Sequence, residues 1–378
     1  VQIAYEAEKV LDTPEARVDS VAVFGGGDRL QQQWAVEKGC DIIAATPGRL
    51  HDFIASDVLT LRRVGYFVLD EADCMLDAVW GFAEDVASIA EQVTPDCRML
   101  FFGATWNAQV QKLAEGLCRN NSKPVRISYA QDESARPGEA LSTGKARANI
   151  VQEVVVVDWD GADDWKDQWE RWEKQDACKY AIMEEHVTRV LQESEEHKVL
   201  VFVGTKRLAD KLSSKLCEQG FMAAAMHGGK AQHQRLWVLQ QFRSSQLKLL
   251  VCTDVLSRGI DIPDLSHVVI HEMGEIEEYI HRIGRTARGV DGKGHALVFF
   301  EYCDRDSQCA AGLIRVLEDC KQCVPDQLRK IAADVAKGKR KIRAPWKPSD
   351  FGYVVAAEES SLFRSRLRPI IALFRALL

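Results

Sequence analysis

The stretch VLDEADCMLD, Val68 to Asp77, sets Asp70, Glu71 and Asp73 within four positions directly after an apolar run. Like charges this close repel, and such clusters commonly keep a cation near them. A carboxylate at a strand end suits magnesium, held directly or through water. A second carboxylate beside it suits the water that attacks a phosphorus atom. Asp70 and Glu71 are thus the candidate metal pair, with Glu71 also orienting or deprotonating that water. A second cluster, YIHRIGRTARG from Tyr279 to Gly289, holds His281, Arg282, Arg285 and Arg288. Arg285 and Arg288 stand three positions apart, so one helical turn would point both the same way. Two guanidiniums aimed at one spot suit a triphosphate whose charge is rearranging. A solvated basic helix face, or contacts to RNA phosphates, would use the same residues. Between the clusters, TDVLSRGIDIP supplies Thr253, Asp254, Gly259 and Asp261. Gly259 would let backbone approach a ligand, and Asp261 could accept from a ribose hydroxyl.

These groups need a frame, and short apolar runs supply one. VAVFG, DIIAAT, YFVLD and MLFFGAT in the first part read as buried strands, and VVVVD, KVLVFVGT, LLVCTD, HVVIHE and HALVFF do so in the second. Amphipathic stretches between them predict an α/β protein with parallel sheets covered on both faces. In such sheets ligands gather at the carboxyl ends of the strands, where the acids, GAT, GTK and TDVLSRG all fall. The predicted organisation is a first domain over 1–129, a linker over 130–149, a second domain over 150–335 and a basic, apolar tail over 336–378. A Trp-rich insert, 158–176, carries Trp159, Trp165, Trp169 and Trp172, of which the last three share one helical face and are expected to pack on the second domain.

A chain of 378 residues exceeds what one core usually serves. Hydrophobic content of 46% and charged content of 28% are ordinary for a soluble globular protein. No apolar run is long enough for a membrane span, and no membrane partner is expected. Eleven scattered cysteines suggest reduced thiols, hence nucleus or cytoplasm. Cys320 and Cys323 form a C-x-x-C without a second close pair, so no zinc site is read there. The net charge of −7 argues against a generally basic coat but leaves room for a local basic groove. One basic run, Lys337 to Arg343, is either a solvated tail or an RNA-attracting or nuclear-targeting segment.

Taken in order, these motifs resemble those of DEAD-box ATP-dependent RNA helicases, from Val21 to about Lys330, and the second half is especially similar to the p68-like branch. VFGGGDRLQQQ resembles the family's GG segment, ATPGRL motif Ib, VLDEAD motif II, GAT motif III and VFVGTKR motif IV. MHGGKAQHQR resembles the Gln-x-x-Arg element, TDVLSRGID motif V and HRIGRTAR motif VI. The resemblance implies two RecA-like domains with ATP and Mg²⁺ in the cleft between them and single-stranded RNA crossing both. It implies that Asp73 and Thr105 link the ATP site to the domain interface, that His281 belongs to the catalytic set, and that Arg285 and Arg288 are arginine fingers. Gly26, Thr46, Pro47, Gly48, Arg49, Thr205, Gln232, Arg235 and Thr253 would face the RNA. Amides at the Thr46–Gly48 strand-to-helix turn are suited to phosphate. Contacts to backbone and 2′-hydroxyls give RNA preference without sequence preference.

Some of the family's pattern is not in the chain. No G-x-x-x-x-G-K-[ST] phosphate loop occurs; LSTGKAR around Lys145 and HGGKAQ around Lys230 lack the glycine spacing and the following hydroxyl. VQIAYEAEKV resembles the sequence after motif Ia. The chain is therefore expected to begin inside the first domain, without Q motif, Walker A loop or motif Ia, leaving buried sheet edges unpaired. Weak or absent ATP hydrolysis is the expectation for these residues. A binding module that grips RNA backbone without turning over nucleotide is the alternative. Gly103 stands where the family has Ser, Gly229 where Asp is usual and Ala287 where Gly is usual. Losing the hydroxyl at Gly103 removes a bond that, in the family, helps couple hydrolysis to strand separation.

Overall fold

The structure is a computed structural model that describes residues 2–11, 18–76, 82–103, 108–118, 124–125, 127, 149–157, 165–254, 262, 265–287, 292–301 and 306–339. The described residues form two compact units, 2–127 and 149–339.

In the first unit the order is α1 (Gln2–Leu11), β1 (Ser20–Val23), α2 (Arg29–Glu37), β2 (Ile42–Ala45), α3 (Pro47–Ala55), β3 (Tyr66–Leu69), α4 (Ala72–Met75), α5 (Ala83–Ala90), β4 (Arg98–Phe101) and α6 (Ala108–Leu117). Local sequence explains where the helices start. Asp28 caps α2 by accepting from the Leu30 and Gln31 amides, and Pro47 opens α3 at a position where a missing N–H costs nothing. β1 pairs with β2 and β3 with β4, both in parallel, and among the described residues each ladder has two strands. Leu69, Ala72, Leu76, Val86, Val110 and Ala114 form a core under β3, with Phe67 and Phe101 packed against it.

The expectation that these strands are buried fails on the other side. Tyr66 is 60% exposed, Val68 50% and Leu100 41%. The described helices of this unit cover one face of the β3–β4 ladder, so every second residue meets solvent.

The second unit runs β5 (Ile150–Val157), α7 (Trp165–Glu193), β6 (Lys198–Phe202), α8 (Lys206–Glu218), β7 (Ala223–Met226), α9 (Gln232–Arg243), β8 (Leu249–Cys252), β9 (Leu265–Ile270), α10 (Ile276–Ile283), β10 (Gly294–Glu301), α11 (Ala310–Asp319) and α12 (Asp326–Ala336). Its six strands form one parallel sheet in the order β5-β10-β9-β6-β8-β7. Alternation along each strand feeds two cores. Leu200, Phe202, Leu250, Val268, Ile270, Val298 and Phe300 meet residues of α9 to α12 on one face. Val199, Val201, Leu249, Val251, Val269, Leu297 and Phe299 meet α7 and α8 on the other. Here the predicted double cover holds, which is why these strands read as continuous apolar runs. The edge strand β7 was not anticipated.

Trp165, Trp169 and Trp172 fall in the first turns of α7, a single helix of 29 residues, so that stretch opens a long helix. Trp159, the linker apart from Asn149, and the tail beyond Lys339 lie outside the described residues.

Candidate functional site

The acids follow β3 directly. The Phe102 amide donates to the Leu69 carbonyl at 2.8 Å and the Ala72 amide to the Phe102 carbonyl at 2.7 Å, pinning the turn against β4. Within that turn Glu71 takes a left-handed conformation, φ 53°, unusual for a long side chain. Its amide donates to Asp70 Oδ1 at 3.0 Å. Asp70 is exposed, whereas Asp73 points inward at 7% exposure. The cluster thus eases its own repulsion by divergence. An exposed carboxylate at a strand's carboxyl end, with a second beside it, offers the hard oxygen ligands that magnesium takes. The residues present fit the metal. They supply no amide-and-lysine cradle for the phosphates, since the chain has no G-x-x-x-x-G-K-[ST].

Parallel pairing of β1 and β2 brings two other predicted elements to one end of that ladder. Gly26, at φ 80°, lies in the loop after β1, and Thr46 follows β2 with its amide donating to the Val23 carbonyl at 2.9 Å. The Thr46 hydroxyl accepts from the Gly25 amide at 3.4 Å and does not cap α3. The first turn of α3, with Pro47 and Gly48, therefore presents amides of the kind that bind phosphate. Arg49 donates to Gln32 Oε1 at 3.2 Å and to the Gly27 carbonyl at 3.5 Å.

Gln32 is the residue sequence reading passed over. It is 7% exposed, accepts from the Phe24 amide at 3.0 Å and donates to the Phe24 carbonyl at 3.1 Å. A Cβ on Gly27 would sit 2.3 Å from Gln32 Nε2, so any other residue there would push the glutamine amide off its bonds to Phe24. One buckle thus joins the GG loop to the arginine of motif Ib. Its only sequence signal was the second of three glutamines in a motif already noted.

In the second unit β6, β8 and β7 are neighbours, so the loops after them share the carboxyl edge of the sheet. Thr205 caps α8, accepting from the Leu208 amide at 3.1 Å. Thr253 is 8% exposed, and its hydroxyl is buried without a hydrogen-bond partner. Gln232 opens α9 and accepts from Arg235 Nη1 at 3.0 Å. Burial lowers the Arg235 pKa from its ordinary value. The loop after β7 hangs on Asp210, which sequence reading also missed. Asp210 pairs with His227 at 3.0 Å and Lys230 at 2.8 Å, and the Gly229 amide donates to His227 Nδ1 at 3.1 Å. Burial pushes the Asp210 carboxyl up, but hydrogen bonds from Lys230 and His227 outweigh it and hold the pKa below the ordinary value.

The HRIGRTAR stretch differs from expectation. α10 ends at Ile283, so Arg285 lies beyond the helix and the single turn expected to carry both guanidiniums is not there. The reason is local: Gly284 caps the helix, and Ala287 adopts a left-handed φ of 53°. Arg285 Nε donates to the His281 carbonyl at 3.2 Å, and His281 is 5% exposed. Arg282 is a buried brace. It is 2% exposed, forks onto both Asp254 oxygens at 2.8 and 2.9 Å, and donates to the Glu272 and Met273 carbonyls. Thr105, Gly259, Asp261 and Arg288 lie outside the described residues.

Parallel strands joined by helices, with acids and polar loops at their carboxyl ends, define a tandem α/β protein of the RecA-like class. Residues 1–113 match the DEAD/DEAH box helicase family, and residues 179–290 match the helicase conserved C-terminal domain. The chain belongs to the DEAD-box helicase family.

Among curated relatives, it is 36% identical over 315 residues to an ATP-dependent RNA helicase DBP2 of Lodderomyces elongisporus, covering 83% of this chain and 50% of that protein. It is 35% identical over 342 residues to DEAD-box ATP-dependent RNA helicase 14 of Arabidopsis thaliana, covering 89% of this chain and 48% of the relative. The chain thus spans about half the length of the curated relatives it matches. A solved structure of the DEAD-box helicase Mss116 bound to ssRNA and UDP-BeF superposes with a TM-score of 0.67 at 25% identity, over 100% of this chain and 73% of that one. Dbp5 of S. cerevisiae, bound to RNA and ADP BeF3, shares the fold at a TM-score of 0.60 and 22% identity, over 88% of this chain and 84% of that one. Among the described residues no helix is long and apolar enough to cross a membrane.

Proposed function

We propose that the protein is an ATP-dependent RNA helicase that remodels RNA through backbone contacts, with little sequence preference. The observation that carries this reading is that Thr46 and Arg49, which flank Pro47 and Gly48, bond to Gly25 and Gly27 on either side of Gly26 at one end of the β1–β2 ladder, in a chain that also sets Asp70 and Glu71 at the end of β3. Amides and a guanidinium contact phosphate oxygens without reading bases. Thr205, Gln232, Arg235 and Thr253 supply the matching contacts from the second unit. Asp70 would hold Mg²⁺, and Glu71 would hold or deprotonate the attacking water. Arg285 and Arg288 would stabilise charge on the transferring phosphoryl group, with Gly259 and Asp261 toward the nucleotide. The scattered cysteines, read as reduced thiols, favour the nucleus or cytoplasm as its location.

These 378 residues contain no phosphate loop, so ATP turnover by them alone is expected to be weak. The organisation we favour is a first domain over 1–129, a linker over 130–149 and a second domain over 150–335. The experiment is phosphate release by the 378-residue chain with and without single-stranded RNA, beside Glu71→Gln. Turnover near background in both supports the reading for this polypeptide. Strong RNA-stimulated turnover that Glu71→Gln abolishes would show that the phosphates are held by residues not assigned here.

A further inference from the structure

At the amino-terminal edge of the six-stranded sheet, opposite the loops described above, three histidines from distant parts of the chain meet. His267 and His295 are register partners across β9 and β10. They occupy the face that Val269 and Leu297 share with α7. His186 comes down from α7 at 5% exposure, its ring stacked 5.1 Å from His295 and edge-on 5.5 Å from His267. One ligand atom from each lies within 4.8 Å of the others. We propose that His186, His267 and His295 bind one divalent transition-metal ion of the zinc type, clamping α7 onto β9 and β10.

Two nitrogens point to a ligand. His186 Nε2 and His295 Nδ1 are buried with no hydrogen-bond partner, an arrangement that costs stability unless something fills it. The other ring atoms are held as ligating histidines usually are. Glu153 lies 3.5 Å from His295 Nε2, which leaves Nδ1 as the donor atom of that ring. Ser266 Oγ lies 2.9 Å from His267 Nδ1, which leaves Nε2. His197 flanks the group, its ring 5.3 Å from that of His267 and its Nδ1 3.1 Å from the Val190 carbonyl. Burial lowers the pKa of His186 to about 4 and of His267 to about 3, so both rings are uncharged at neutral pH. Imidazole is the ligand for zinc, copper, nickel and cobalt rather than for magnesium or calcium.

Tetrahedral zinc–nitrogen bonds of about 2.0–2.1 Å would set the nitrogens about 3.3 Å apart, so the rings draw inward by roughly 1 Å on binding. Water completes the coordination. Arg189 opposes it: its Nη2 lies 3.1 Å from His186 Nδ1, which keeps the His186 proton on Nε2. Binding moves that proton to Nδ1 and turns the guanidinium away, with no net proton release from this ring. None of these residues belongs to the helicase motifs, and the inference stands whether or not the functional proposal does.

The test uses the whole chain, stripped with a chelator and titrated with Co²⁺ alone, then with competing Zn²⁺. One ion per chain, with the visible bands of a nitrogen–oxygen site and no sulfur-to-metal charge transfer, is expected. His267→Gln and His295→Gln should each weaken binding at least about tenfold, and Arg189→Gln should tighten it. If either glutamine variant fails to fold, X-ray absorption of the unsubstituted zinc protein replaces it, with a nitrogen shell at about 2.0–2.1 Å expected. No stoichiometric binding, a sulfur ligand, or affinity unchanged in both glutamine variants would overturn the site and leave three neutral core histidines.

Discussion

Arg282 belongs to the same short motif as Arg285, yet its surroundings assign it a different task, and Arg282→Met separates the two. Methionine keeps much of the apolar stem and removes the guanidinium. The deletion removes the bonds to both oxygens of Asp254, at 2.8 and 2.9 Å, and to the Glu272 and Met273 carbonyls, at 2.9 and 2.8 Å. It also strips Glu278, 3.4 Å away, of a cationic partner. Breaking a buried ion pair from one side costs about 3–5 kcal/mol. Asp254 and Glu278 each keep 25% side-chain exposure, so water recovers part of this and about 3 kcal/mol is expected. For a unit of this size that lowers the melting temperature by about 6–12 °C. Calorimetry on the full chain, following the transition of the second unit, measures it. A cycle with Asp254→Asn should return a coupling of about 1–3 kcal/mol. A variant that melts within about 1 °C of the parent but loses RNA-dependent activity would refute the brace and make Arg282 a functional group.

Gln32→Ala removes the buckle between the GG loop and Arg49; a stability loss of about 1–2 kcal/mol and an equal weakening for every RNA sequence are expected, read by urea unfolding and fluorescence anisotropy. Arg285→Ala, with its side chain partly exposed, should leave the melting temperature within about 2 °C of the parent and abolish any RNA-stimulated phosphate release that rises above background; release above background and equal to the parent's would remove it from the catalytic set. His271 is fully buried, and both its ring nitrogens lack a hydrogen-bond partner. Burial first, then Lys179 and Lys211, push its pKa well below the ordinary value. The unfolded chain therefore binds a proton below about pH 6.5 that the folded chain refuses, so stability falls as pH drops through that region. His271→Leu should flatten this acid limb between about pH 6.5 and 4 in urea midpoints, and a parallel limb would contradict the assignment.

Legibility tracked how locally each feature is encoded. In the second unit both sheet faces are covered, so apolar runs such as KVLVFV and HALVFF announced their strands. β7 was missed because Ala223–Met226, AAAM, has no β-branched or aromatic residue and owes its conformation to pairing with β8. In the first unit the same apolar runs misled about burial, since composition does not say how many faces helices will cover. Motif residues fixed by consecutive turns, such as Asp70 and Glu71 or Thr46 and Gly48, were readable. Their supports were not: Gln32, Asp210 and the Arg282 brace depend on contacts across the fold. The histidine triad was illegible for the same reason, as 81 positions separate His186 from His267 and 28 separate His267 from His295.

The central proposal is that the motif loops grip RNA through its backbone. Anisotropy with labelled oligonucleotides of uridine, adenosine and mixed sequence, each beside its deoxy counterpart, tests it directly for the parent chain and Arg235→Ala. Affinities within about threefold across the RNAs, weaker binding to DNA and a uniform loss in the variant are predicted. Binding confined to one RNA sequence, or equal affinity for the deoxy strands, would contradict it.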